Sequence, residues 1–244
     1  MKILLLPLFL LLTQAAWADT LRVAVAANFA SAARALAAGF EAESGHQLKL
    51  AFGSTGKHYS QIHHGAPFDA FFAADVERPR LLDEAGLAVP GSRHTYAMGR
   101  LVLWGPSPQL AVADGKVLKD GNFDHLAIAN PRLAPYGRAA QQVLEKLGLW
   151  QSLQGRLVRG ENIGQTYHFV RGGGAQLGFV ALSQLQQSGK PVAGSRWLPP
   201  ADLYDPIEQQ AVLLRDSPAG RALFSYLRSN AARDIIQAHG YHTP

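Results

Sequence analysis

The sequence predicts an α/β protein of two similar lobes, each built on a parallel sheet. Short apolar runs suited to strands alternate with helical segments, the pattern of βαβ units. The alternation lapses over the irregular stretch Pro90 to Met98 and resumes from Leu101, so the units fall into two blocks joined near that point. A length of 244 residues is enough for two cores, and a composition 48% hydrophobic and 17% charged leaves no tract for disorder.

The first block opens on an apolar run, Val23 to Ala27, that suits a strand buried on both faces. Asn28 then reads as an N-cap, and Phe29, Ala33, Leu36, Ala37 and Phe40 recur on one helix face. Gln47 to Phe52 is a second strand, Gly53 to Gly56 a turn, and Lys57 to His64 a short helix closed by Gly65-Ala66-Pro67. Ala70 to Ala73 is a third strand and Val76 to Ala85 a third helix. Right-handed crossovers place all three strand-to-helix junctions on one sheet edge. Unpaired N–H groups and helix dipoles at such an edge favour an anion.

In the second block, strands are expected at Leu101 to Trp104, Leu126 to Ala129, Leu157 to Val158 and Leu177 to Val180. Helices are expected at Tyr136 to Leu147, at Ile163 to Val170 and from the last strand through Gln187. Glu208 to Leu214 is a closing strand. Pro218 to Gln237 holds one or two amphipathic helices, with Leu223, Phe224, Leu227, Ile235 and Ile236 as the packing face.

Residues 1–18 read as a secretory leader: a positive Met1-Lys2, an apolar Ile3 to Leu12, and an Ala16-Trp17-Ala18 cleavage site. The apolar run is far shorter than the roughly 20 residues a spanning helix needs, so membrane insertion is not expected. With no cysteine in the chain, lipid anchoring, disulfides and thiolate metal sites are excluded. The net charge of +5 becomes +4 once Lys2 leaves with the leader. Because the basic residues are scattered, nucleic acid is not an expected partner, and the mildly basic surface steers an anion only weakly at physiological salt.

Gly53-Ser54-Thr55-Gly56-Lys57 has two readings. It is an anion cradle with two hydroxyl donors ahead of a helix, or an ordinary capped turn. A Walker A motif fails, since Ala51 fills the first glycine position and His58 replaces the hydroxyl residue. At Phe71-Phe72-Ala73-Ala74-Asp75 the small residues leave room for a ligand or simply pack tightly. Tyr136 either offers its hydroxyl to a cleft or lies in the core or on the surface, and Gly160-Glu161-Asn162-Ile163 is a further helix start. His58, His63 and His64 lack metal-ligand spacing and read as a solvated surface cluster. No nucleophile elbow is present, and an anion-binding protein, not an enzyme, is the reading of the residues.

Four segments then carry a resemblance: Ala26-Ala27-Asn28-Phe29, Phe52 to Lys57, Gly65-Ala66-Pro67-Phe68-Asp69 through Asp75, and Asn130-Pro131 with Ala134-Pro135-Tyr136-Gly137-Arg138. In this order they resemble the periplasmic molybdate-binding proteins of ABC transporters, across essentially the whole mature chain. The resemblance implies a two-lobed type II periplasmic-binding-protein fold, with a mostly parallel sheet in each lobe and a ligand cleft between them. Lobe I would comprise 19–100 and 208–244, and lobe II 101–207. It implies a tetrahedral oxyanion, molybdate or tungstate, held by neutral donors: Asn28, Thr55 with Ser54 beside it, the Ala74 backbone N–H, Tyr136 and Ile163. In the same terms Ala181 departs from some relatives, which carry Tyr there, and the hydroxyl is taken to come from Tyr136. The implied protein is a periplasmic monomer that delivers its cargo to a membrane permease, has no cofactor and binds molybdenum only as the oxyanion. Sulfate or another oxyanion is the alternative cargo, and a hydrolase or metalloenzyme using Ser54 and the histidines a distant one. As a cap and a ligand residue together, Asn28 is expected to cost both stability, about 1 kcal/mol, and affinity on replacement by Ala.

Overall fold

The computed structural model describes residues 18–107, 110, 112–186 and 192–244. The expected leader, apart from Ala18, and the expected helix end at Gln187 lie outside the described residues. In chain order the strands are β1 (Thr20–Ala26), β2 (Gln47–Gly53), β3 (Ala70–Phe72), β4 (His94–Gly99) and β5 (Leu101–Gly105). There follow β6 (Leu126–Ala129), β7 (Leu157–Gly160), β8 (Leu177–Ala181), β9 (Ser195–Trp197) and β10 (Ile207–Leu213). The helices are α1 (Ala30–Ser44), α2 (Thr55–His63), α3 (Glu77–Glu84), α4 (Val117–Asp120), α5 (Pro135–Lys146), α6 (Ile163–Arg171), α7 (Leu182–Leu185), α8 (Pro218–Leu227) and α9 (Asn230–Ala238).

The strands form two five-stranded sheets, ordered β2-β1-β3-β10-β4 and β7-β6-β8-β5-β9. Within each sheet the strands linked by crossover helices are parallel: β1 with β2 and β3, and β6 with β7 and β8. Both sheets are nevertheless mixed. β10 runs antiparallel to β3 and β4, and β5 antiparallel to β8 and β9. The mostly parallel expectation holds, and the exceptions are β10 and β5, the strands by which the chain enters each lobe, which have no preceding crossover helix to align them. Only Arg100 separates β4 from β5, so the chain passes almost directly from one sheet to the other.

β4 occupies part of the stretch expected to be irregular. His94-Thr95-Tyr96-Ala97-Met98-Gly99 has no sustained apolar alternation, and its pairing comes from β10 instead. The three-residue β9 is likewise unannounced in the sequence. The C-terminal helical stretch divides into α8 and α9, each capped by a serine side chain, Ser217 and Ser229.

Two cores hold the sheets. In the first, Phe29 is fully buried, and its ring lies 4.7 Å from Tyr96, 5.3 Å from Tyr241 and 6.2 Å from Phe72. In the second, Leu103, Leu126, Ile128, Val143 and Phe179 are fully buried between sheet and helices. Each such side chain contributes about 1.5–3 kcal/mol of transfer free energy. At Gly137, on α5, a Cβ would lie 2.3 Å from the backbone oxygen of Ala129, so only glycine lets the helix approach the end of β6. Gly137→Ala gains about 1 kcal/mol in helix propensity, but the clash with rigid backbone costs more, about 1–3 kcal/mol. A lower urea midpoint is therefore expected in equilibrium unfolding.

Candidate functional site

The parallel register levels the strand ends. Ala26 pairs with Gly53, Val25 pairs with both Phe52 and Phe72, and in the second sheet Ala129 pairs with Gly160. The segments that leave these ends meet around one small chamber. Its walls are Ala26, Ala27, Asn28, Gly53, Ser54, Thr55 and Ala74 from the first lobe. The second lobe contributes Ala134, Pro135, Tyr136, Asn162 and Ile163. All six residues singled out from sequence, Asn28, Ser54, Thr55, Ala74, Tyr136 and Ile163, thus face the same space. No charged side chain is among its lining residues.

Four helix starts point at the chamber: a 3-10 turn over Ala27–Phe29, α2, α5 and α6. Ser54 caps α2 by accepting from the N–H of Lys57 (3.4 Å), and Asn162 caps α6 by accepting from Gln165 (3.0 Å). Pro135 occupies the first turn of α5, where its missing N–H costs nothing. The N–H groups of Asn28, Thr55, Tyr136 and Ile163 sit in these first turns and have no intrahelical acceptor. Each also carries the positive end of its helix dipole.

The side chains are arranged differently from expectation. Asn28 does not cap α1: it lies inside the 3-10 turn, and Phe29 takes the cap position with no side-chain bond. Its amide Nδ2 instead donates to Gln209 Oε1 (2.9 Å) and Tyr241 Oη (3.0 Å). Its carbonyl accepts from the hydroxyls of Ser183 (3.0 Å) and Tyr241 (2.8 Å). The Tyr136 hydroxyl accepts from Gln209 Nε2 at 3.2 Å, and burial holds its pKa well above the ordinary range. The Ala74 N–H donates to Thr55 Oγ1 at 3.1 Å. Ala181 ends β8, where its N–H donates to Gln184 Oε1 at 2.9 Å.

Gln209 is the residue that the sequence reading missed. It is completely buried, yet a signal for it exists: Ile207, Gln209, Ala211 and Leu213 alternate onto one strand face that is otherwise apolar. Tyr96 adds a hydroxyl 3.1 Å from Gln209 Oε1. No local pattern marks Tyr241, whose partners lie far away in sequence.

The lobes touch through further contacts. Gly56 N–H donates to Leu133 O at 2.8 Å, Arg78 Nη2 to Arg132 O at 3.3 Å, and Lys57 Nζ pairs with Glu161 at 2.9 Å. Arg78 is also held by Asp75, whose carboxyl is pushed up by burial while Arg78 opposes the shift.

Of the three clustered histidines, His63 and His64 are exposed, whereas His58 is buried, correcting the solvated reading for that residue. Its ring packs edge-on against Phe68 and Phe71, and Nδ1 lies 3.2 Å from Gln61 Oε1. Nε2 is buried beneath Gly53 and makes no hydrogen bond among the described residues. Among the described residues no group of His, Asp or Glu is arranged to hold a metal ion.

Two α/β lobes with an uncharged, N–H-lined chamber between them define a binding protein for a small solute, of the two-lobed type II class. The chain matches bacterial extracellular solute-binding proteins over residues 21–242 and belongs to that family. It is 50% identical over 234 residues to the molybdate-binding protein ModA of Azotobacter vinelandii, covering 95% of this chain and 93% of that protein. It is 46% identical over 223 residues to ModA of Rhodobacter capsulatus, covering 90% and 87% respectively. The solved structure of the Azotobacter vinelandii periplasmic molybdate-binding protein superposes with a TM-score of 0.89 at 43% identity, covering 92% of this chain and 99% of that one.

Burial lowers the pKa of His58 below 6.5. Above pH 6.5 both the native and unfolded states are neutral at this position. As pH falls below 6.5 the unfolded state takes up a proton that the native state resists, so stability declines. His94, lowered first by burial and then by Arg228, acts in the same direction. The melting temperature is therefore expected to fall between pH 6.5 and 5, and His58→Gln to reduce that slope in thermal melts.

Proposed function

We propose that the protein captures molybdate, and tungstate with it, in the periplasm and delivers it to an ABC permease. The observation that carries this reading is the chamber where four helix starts from two lobes converge with no charged side chain. A dianion is stabilised there by N–H dipoles. Neutral bonds to a charged acceptor are worth about 1.5–3 kcal/mol each. Several of them, after the cost of immobilising ligand and lobes, support submicromolar binding. The names of the two relatives described above supply the cargo.

In this reading the donors at Asn28, Tyr136 and Ile163 are the backbone N–H groups of helix first turns; the Asn28 amide is engaged with Gln209 and Tyr241, while the Tyr136 hydroxyl accepts from Gln209 and keeps its own proton to donate. Thr55 supplies its N–H and its hydroxyl proton. The Ala74 N–H holds Thr55 Oγ1 and so orients that proton toward the cargo without contacting it. Ser54 stays with its cap. Donors from both lobes make the anion favour the closed state. The chain works as a monomer released from its leader after Ala18. Among the described residues no helix is long and apolar enough to cross a membrane.

Calorimetric titration of residues 19–244 with molybdate is expected to show submicromolar affinity and preference over sulfate in competition. Thr55→Val should lose about 10- to 100-fold, and Tyr136→Phe, which keeps the N–H but leaves buried Gln209 Nε2 without its acceptor, should lower the melting temperature as well as the affinity. Neither heat nor a thermal shift with molybdate would refute the cargo, while stronger binding of sulfate would replace it.

A further inference from the structure

Two larger grooves adjoin different walls of the chamber. One, about 690 Å³ between α1 and α6, shares Ala27, Asn28 and Asn162 with the chamber lining. The other, about 610 Å³ between the β3–α3 junction and α5, shares Ala74 and Pro135. They are alike in size and opposite in charge balance.

In the α1/α6 groove the charged lining is Arg34, Arg171 and Glu161. Glu161 is already neutralised by Lys57 at 2.9 Å. Arg34 is held in place without any carboxylate: its guanidinium stacks 4.5 Å over the Phe52 ring and Nη1 reaches the Ala30 carbonyl at 3.4 Å. Arg171, in the last turn of α6, is exposed and makes no hydrogen bond or ion pair among the described residues. Two guanidinium groups thus stand unneutralised at this mouth.

In the second groove Arg78, Arg132 and Arg138 face four carboxylates: Asp75, Glu77, Asp205 and Glu208. Arg78 is spoken for by Asp75, and the remaining carboxylates leave an excess of negative charge. A dianion approaching this mouth meets net repulsion. At the other it meets net attraction, and clefts lined by one sign of charge raise the local concentration and association rate of the opposite sign.

We propose that the α1/α6 groove is the route by which the anion enters the chamber, with Arg34 and Arg171 as capture residues that raise its association rate. The proposal rests on the cargo being an oxyanion. Neither arginine lines the chamber, so the bound anion keeps its neutral donors while its arrival is accelerated by charge. Such steering acts on association more than on dissociation.

The test is stopped-flow fluorescence with molybdate at low ionic strength, where the Debye length is about 30 Å at 0.01 M. Association rates are cross-checked against the dissociation rate and the calorimetric Kd. The double variant Arg34→Gln/Arg171→Gln is expected to slow association about three- to tenfold and to flatten its dependence on salt, with dissociation unchanged. The pair Arg132→Gln/Arg138→Gln removes the same formal charge from the other groove and is expected to change association less than about twofold. Equal slowing by both pairs, or none by the first, overturns the route. A wild-type protein that shows no binding of molybdate by calorimetry removes the cargo reading itself, and is distinguished from normal affinity with no difference between the pairs.

Discussion

The site depends on one buried amide. Gln209 has no exposure, so each of its polar atoms must be bonded inside the protein, and a buried group left unpaired costs about 1–3 kcal/mol. Its oxygen is met by Asn28 from the first junction and lies beside Tyr96 from β4; its nitrogen is met by Tyr136 from the opposite lobe. Asn28 is fixed a second time through Tyr241 and Ser183. The same bonds that satisfy Gln209 therefore set where the first turns of two helices stand. They also occupy the Asn28 amide and the Tyr136 hydroxyl oxygen.

Charges are kept at the rim for a related reason. Lys57–Glu161 and Arg78–Asp75 lie around the chamber, not in it. The Lys57–Glu161 pair spans the lobes with both side chains about half exposed, and an ion pair in that setting contributes about 0–1 kcal/mol. It aligns the lobes without locking them. A lysine or arginine inside the chamber would hold many anions indiscriminately and resist letting them go.

The two lobes and the junctions were legible because they follow from periodicity. Apolar runs and amphipathic faces locate strand ends and helix starts, and a helix start announces free N–H groups whatever its side chains do. Side-chain direction was not legible. A single 3-10 turn between β1 and α1 removes Asn28 from the cap and aims it at Gln209, a residue 181 positions away. The partner of the Tyr136 hydroxyl is equally remote in sequence, and the burial of His58 comes from Phe68 and Phe71 folding over it. Gln209 could have been found, since it interrupts an apolar strand face. The entry strands β5 and β10 could not have been oriented from local pattern, because their direction is set by how the chain passes between lobes.

The turn from Gly53 to Lys57 shows why neither of its two sequence readings was sufficient. Gly53 has no room for a side chain over His58, and Ser54 caps the helix. Thr55 receives the Ala74 N–H. Gly56 donates across the cleft to Leu133, where a Cβ would come within 3.1 Å, and Lys57 pairs with Glu161. It is both a capped turn and a lobe contact, with the chamber wall in the middle. Thr55 and Gly56 are consecutive at the start of α2, so the chamber wall and the lobe contact are built on the same turn.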